Sequence, residues 1–427
     1  MGEETPNRVA AAADARAPSC APMLFFFLHV CTAWPVGIVG LALASSLVKA
    51  GVPVQQTATI IAASTLAFTL EFVWAPVVDS CFTRRAWYIA GATMMCVCLA
   101  LLLVAPWNPA WVPALMTLAF TSSSGAAVAA VAVKGIMAYE VAPARLGSAS
   151  GYYTAGGTFA KAVAGAATLW LLTHVPGRAL DAGLSIGAAA LAGAAILLVP
   201  RERPQRLREL PRRLLAALAD LWGFVCTRQG MLIGVLCVIP FGSGTEAGLI
   251  GAIAREWSVT PDQLSVFSML AVVGGIAGAI FAGWLSLRIG PWNTYVTLGW
   301  LMIVTMLGFA LTPRTPASFM AFELGYRALA AGCYAAQLGI VMTAIGRGAA
   351  STKAAGMWSL ANLAFVYPAL IEGAVHDHVS TRAMLLTDAA LGVAGFAVLV
   401  GAAWLLGMRV HRNPNRPAEI PAISLQE

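Results

Sequence analysis

Glu323, Arg327, Tyr334 and Gln337 stand at offsets of 0, 4, 11 and 14 in an otherwise apolar stretch. At about 100° per residue they fall near 0°, about 40°, about 20° and about −40° on a helix, one narrow face. Such a stripe belongs against protein or a wet cavity, not lipid. Arg327 can grip a carboxylate, because its planar guanidinium matches two oxygens and never deprotonates. Glu323, one turn earlier, can instead neutralise it as a purely structural bridge, leaving Tyr334 and Gln337 incidental. Lys161 poses the same question alone. Its helix runs about ten residues, about 15 Å, in each direction, too far for the ammonium to reach a membrane surface easily. It needs a wet cavity or an ion-pair partner, and Thr154 and Thr158 share its face.

Three groups can carry a proton. Glu246 lies in IPFGSGTEAG (239–248), where Pro240, Gly242, Gly244 and Gly248 let a helix bend. Burial would favour its neutral form; the alternative is an ion pair with Arg255 or another base. Glu323 is the second and His29 the third, since imidazole titrates near neutral pH, although a lone His also serves as a hydrogen-bonded structural residue. Trp34, beside the kinking Pro35, can stack on a solute ring or simply pack. Asn362 can reach the same cavity. Glu71 and Asp79 precede Arg84 and Arg85, an arrangement suited to a charged gate latch, and Arg288 takes the matching place later in the chain. Lys134, near a helix end, is expected to snorkel to the surface.

The elements that must hold these groups are membrane helices. The 427 residues are 59% hydrophobic and 11% charged, with mean hydropathy +0.79; soluble domains carry about 25% charged residues. Apolar blocks of 18 or more residues recur along the chain, each long enough to cross a bilayer. This excludes a soluble enzyme, a disordered chain and a secreted disulfide scaffold. A β-barrel would need roughly 10-residue alternating segments. Twelve helices are expected, near 22–48, 54–78, 86–106, 110–136, 148–172, 182–200, 230–252, 263–287, 292–312, 317–345, 354–375 and 383–407. The fold class is all-α integral membrane.

Two six-helix halves, 22–200 and 230–408, flank a basic linker at 201–229, with polar ends at 1–21 and 409–427. The segment 213–225 is amphipathic enough to lie on the membrane. The first apolar run is too long for a cleavable signal and reads as an anchor. With the N-terminus in the cytoplasm, 18 Lys and Arg fall in inner segments and five in outer loops, which places both termini and the linker inside. The net charge of +7 therefore reflects topology, not nucleic-acid binding. Eight Cys lie mostly in apolar runs, so neither a disulfide framework nor a metal site is expected. No Walker loop or His-Glu-x-x-His occurs, so no cofactor, ATP drive or enzyme chemistry is expected. Small residues at four-residue spacing, Gly147, Gly151 and Ala155 in the fifth helix and Gly275, Ala279 and Gly283 in the eighth, suit close packing between the halves.

Six helices, a basic linker and six helices resemble the major facilitator superfamily, whose halves rock about a central site. WAPVVD (74–79) with Arg84 and Arg85, and GWLSLRIG (283–290), resemble its short loop after the second helix of each half. FVWAPVVDSCFTRRAW (72–87) and AYEVAPARLGSASGYYTAGG (138–157) resemble the peptide–acetyl-coenzyme A transporter branch. That branch holds AmpG-like muropeptide permeases and importers of pyochelin- and rhizobactin-type siderophores. Muropeptide members carry Lys where Glu71 stands and acids in the fourth helix, where this chain has Lys134. The resemblance implies a monomeric secondary active transporter of a bacterial-type inner membrane, driven by protons, importing a bulky organic solute such as a siderophore. A muropeptide permease or a drug or metabolite exporter are the alternatives.

Overall fold

The computed structural model describes residues 20–52, 54–175, 177–201, 210–242, 253–346 and 348–407. Glu246, residues 202–209 of the linker and nearly all of both terminal segments lie outside them.

Among the described residues the chain is helical throughout. The first span stacks α1 (Leu24–Gly37), a π-helical segment (Ile38–Leu43) and α2 (Ala44–Lys49) end to end. Pro35 removes a donor from the ladder just ahead of the π segment. The second span breaks at Leu70 into α3 (Val54–Thr69) and α4 (Glu71–Ser80), whose axes differ by 40°. α5 (Arg84–Val104), α6 (Val112–Glu140), α7 (Leu146–His174) and α8 (Arg178–Gly193) complete the first half. α9 (Leu210–Val225) is the amphipathic linker helix and meets α10 (Arg228–Val238) at 83°. α11 (Pro261–Ile289), α12 (Pro291–Leu311), α13 (Pro316–Ile345), α14 (Ala350–Ala361), α15 (Leu363–His378) and α16 (Thr381–Leu405) follow.

Starts and stops follow local chemistry. Proline opens α11, α12 and α13, where its missing N–H has no partner to lose. The hydroxyls of Thr83, Thr227, Thr260, Thr315 and Ser380 cap exposed N–H groups at five helix starts. α10 stops two residues before Pro240, and Gly242 takes a positive φ of 70°, so the break expected in the seventh span is present at its near edge.

Nine helices among the described residues are long and apolar enough to cross a membrane. The broken α3–α4 span, the span that α10 begins and the α14–α15 span interrupted at Asn362 complete a twelve-helix bundle. Small residues let the halves touch through their backbones. A Cβ added to Gly151 of α7 would lie 2.7 Å from the Ala279 carbonyl oxygen and 2.9 Å from Gly283 Cα on α11. One added to Gly147 would lie 2.6 Å from Ser286 Cβ. Gly151→Val should therefore destabilise the bundle by about 1–3 kcal/mol through overpacking, read as a lower melting temperature in detergent. An unchanged melt would mean that α7 and α11 do not pack this tightly.

Candidate functional site: a central cavity

A cavity of about 790 Å³ lies between the halves. α1, α3, α4, α6 and α7 wall one side; α11, α13, α14 and Asn362 wall the other. Its floor is aromatic. Tyr334 packs edge-on against Trp358 with ring centres 4.7 Å apart. His29 stacks on Tyr153 at 3.6 Å, and its Nδ1 lies 2.6 Å from the Tyr153 carbonyl oxygen, which assigns the ring proton to Nδ1.

Below the floor, the linker side is sealed by contacts between the halves. Asp79, near the end of α4, accepts hydrogen bonds from the Thr352 backbone N–H at 2.7 Å and from its hydroxyl at 2.9 Å. Asp79 also lies 3.6 Å from Arg84, whose guanidinium sits 3.9 Å over the Tyr139 ring. The Tyr139 hydroxyl accepts from the Gly348 N–H at 2.8 Å and donates to the Gly348 carbonyl. Asp220 of α9 accepts from the Ala349 N–H at 2.9 Å and pairs with Lys353 at 3.0 Å. The linker helix thus grips the start of α14.

Of the residues expected in the cavity, Lys161, Arg327, Glu323, Tyr334, Asn362 and His29 line it. Arg327 Nε donates to Glu323 Oε1 at 2.8 Å. Two do not line it. Trp34 is buried among helices of the first half, its Nε1 donating to Ser185 at 3.3 Å, and Ser185 lies 2.7 Å from Thr168. Gln337 shares the face of Glu323 but lies about 21 Å further along the helix. It is below the floor, donating to the Leu236 carbonyl at 3.2 Å.

The latch differs from its expected form. Asp79 and Arg84 take part in it. Arg85 instead donates to the Val199 carbonyl at 3.2 Å, stapling the end of its own half. Arg288 lies 5.3 Å from the Trp284 ring, one turn back, with no acid in ion-pair range among the described residues. Glu71 is not paired with Arg84 or Arg85. The break at Leu70 turns it into the cavity wall, where it pairs with Lys134 at 2.6 Å. Lys134 therefore does not snorkel: it is 1% exposed, held by Glu71 and lying 5.1 Å from the Trp358 ring.

Sequence reasoning missed Tyr153, Trp358 and the Glu71–Lys134 pair as cavity groups. Trp358 was within reach, since it precedes Asn362 by one turn. No group of three or more metal-binding side chains occurs among the described residues.

A family model described as Major Facilitator Superfamily matches residues 25–365. No curated protein matches the sequence. Among solved structures, the E. coli fucose:proton symporter is 13% identical, with a TM-score of 0.69 over 89% of this chain and 97% of that one. The proton:xylose symporter bound to 6-bromo-6-deoxy-D-glucose is 12% identical, with a TM-score of 0.63 over 89% and 94%. A bacterial homologue of the iron transporter ferroportin, outward-facing and soaked with iron, is 13% identical, with a TM-score of 0.64 over 91% and 100%. Such low identities speak to fold alone. The family match over most of the chain, on a twelve-helix bundle with a central cavity, establishes that the protein belongs to the Major Facilitator Superfamily and is a membrane transporter.

Proposed function

We propose that the protein is a secondary active transporter of a bacterial-type inner membrane, importing a bulky organic solute of siderophore type with protons as the driving ion. The observation that carries this reading is one cavity with charges on both walls, Lys161 from one half and Glu323–Arg327 from the other, sealed at the linker end. Residues 22–200 and 230–408 are then the rocking halves, and the linker and both termini are cytoplasmic, as the distribution of Lys and Arg favours. Import is preferred to export because of the branch resemblance. A siderophore is preferred to a muropeptide because Glu71 and Lys134 replace residues typical of muropeptide permeases. Glu323, facing the cavity, and Glu246 are the proposed proton carriers.

Uptake of a labelled pyochelin-type siderophore into energised vesicles tests this. Accumulation should collapse with a protonophore. Arg327→Ala should lower it by about 10–100-fold, the loss expected for charge-assisted hydrogen bonds, and Lys161→Ala should weaken it severely. Accumulation that follows sodium would overturn the proton assignment. Normal uptake by both variants would remove the cavity charges from the mechanism.

A further inference from the structure

Among the described residues, five formally charged side chains line the cavity: Glu71, Lys134, Lys161, Glu323 and Arg327. Four of them cancel in pairs, Lys134 with Glu71 at 2.6 Å and Arg327 with Glu323 at 2.8 Å. Lys161 is left over. Among the described residues no carboxylate lies within ion-pair distance of its ammonium and no side-chain hydrogen bond holds it. Its side chain is nonetheless exposed in the cavity. His29, another titratable group on the wall, has its Nδ1 held by the Tyr153 carbonyl and its ring stacked on Tyr153.

The root of Lys161 is fixed. A Cβ on Gly37 of α1 would collide with the Lys161 carbonyl, so α1 and α7 touch at this level. The facing wall is close. A Cβ on Gly275 of α11 would lie 3.4 Å from the Thr158 methyl and 3.7 Å from the Arg327 carbonyl oxygen. α7, α11 and α13 therefore meet one turn from Lys161, setting Lys161 and Arg327 on opposite walls. Arg327 lines the cavity with its side chain 36% exposed.

An uncompensated ammonium at this depth is expensive. A site that keeps one is matched to a counter-charge arriving from outside, because low-dielectric walls concentrate counter-ions in a cleft of one sign. We propose that the cavity takes organic anions, with the negative group between Lys161 and Arg327 and the body of the solute on the Trp358–Tyr334 floor. The proposal rests on the transporter reading and names its substrate class. A solute seated this way touches both halves at once, which is what closure above it requires.

The test needs no knowledge of the solute. Ala162→Cys places a thiol in the cavity wall beside Lys161. Its labelling from the side opposite the linker is followed by mass spectrometry of that peptide, with an anionic sulfonatoethyl methanethiosulfonate and with its cationic trimethylammonioethyl counterpart. Relative to a free thiol in solution, the anion should be favoured by about tenfold or more. The preference should shrink as salt rises, vanish in Lys161→Gln and persist in Lys161→Arg. If Lys161→Gln fails to fold, the salt dependence and the arginine variant still decide. A ratio near that of the free thiol, a preference for the cation, or no labelling by either reagent would each overturn the proposal. None of these readouts uses transport. An anion preference without siderophore accumulation in energised vesicles would instead bring down the proposed proton-driven siderophore import and leave the charge assignment standing.

Discussion

Glu71→Ala is expected to lower the stability of the bundle by about 3–5 kcal/mol, the usual result of stripping one partner from a buried ion pair. The pair is tight, at 2.6 Å, and both side chains are nearly inaccessible, at 2% and 3%. The loss comes from what remains. Lys134 would be left in a wall whose nearest aromatic partner, Trp358, is 5.1 Å away and cannot replace a carboxylate. Lys134→Ala should do comparable damage by orphaning Glu71, and the double alanine variant should recover part of the loss because no charge is left uncompensated. The informative variant is the exchange, Glu71→Lys with Lys134→Glu, which keeps the pair and reverses its direction. It should melt closer to the starting protein than either single exchange does. Thermal melts of the purified protein decide the matter. A Glu71→Ala variant that melts like the parent, or an exchange no better than its halves, would show that the two residues are not energetically coupled.

The second large effect concerns the balance of states. Asp79 accepts two hydrogen bonds from Thr352 across the seal, and its side chain is 3% exposed. Hydrogen bonds to a charged acceptor contribute about 1.5–3 kcal/mol each. Asp79→Ala removes both, so about 3 kcal/mol of preference for the sealed linker side should go, a shift of about 100-fold in the equilibrium. Ser351→Cys, buried behind the latch, reports this: its labelling from the linker side should accelerate by about that factor. Asp79→Asn, which keeps an acceptor for Thr352, should fall between. Labelling that stays slow in Asp79→Ala would mean that Tyr139–Gly348 and Asp220 hold the seal without Asp79.

The sequence was informative wherever one helix sufficed. Apolar blocks gave the spans because a bilayer sets a minimum length. The phase of Glu323, Arg327 and Tyr334 gave a shared face, and Lys161 declared itself by depth. Neighbours on different helices were another matter. Glu71 and Lys134 are 63 residues apart, and each looked like a departure from the pattern of muropeptide permeases. In the structure the two departures are one feature, because the opposite charges meet. Gln337 shows the complementary failure: helical phase assigns a side but not a level, and only the floor at Tyr334 and Trp358 reveals which residues lie beneath it. Trp34 was ambiguous for want of Ser185, a partner 151 residues away. The tie from Asp220 to α14 was not foreseen, since an amphipathic pattern says that a helix lies on a surface, not what it grips.

The π-helical segment Ile38–Leu43 has a counterpart in the physics of crystals. It spaces its hydrogen bonds one residue wider than the helix on either side, so it behaves as a dislocation, a defect that shifts the register of everything beyond it. A dislocation glides by exchanging bonds locally, without shearing a whole plane. In a helix each such step re-forms the bonds of about one turn and re-phases the residues it passes by about 100°, while the flanks beyond keep their register. His29, Thr32, Ala33 and Val36 lie on one flank of the segment, and Val39 and Gly40 lie within it, all six on the cavity wall. The wall of the first span therefore contains a register fault, so the cavity residues on and beside it are phased differently from those of an unbroken helix.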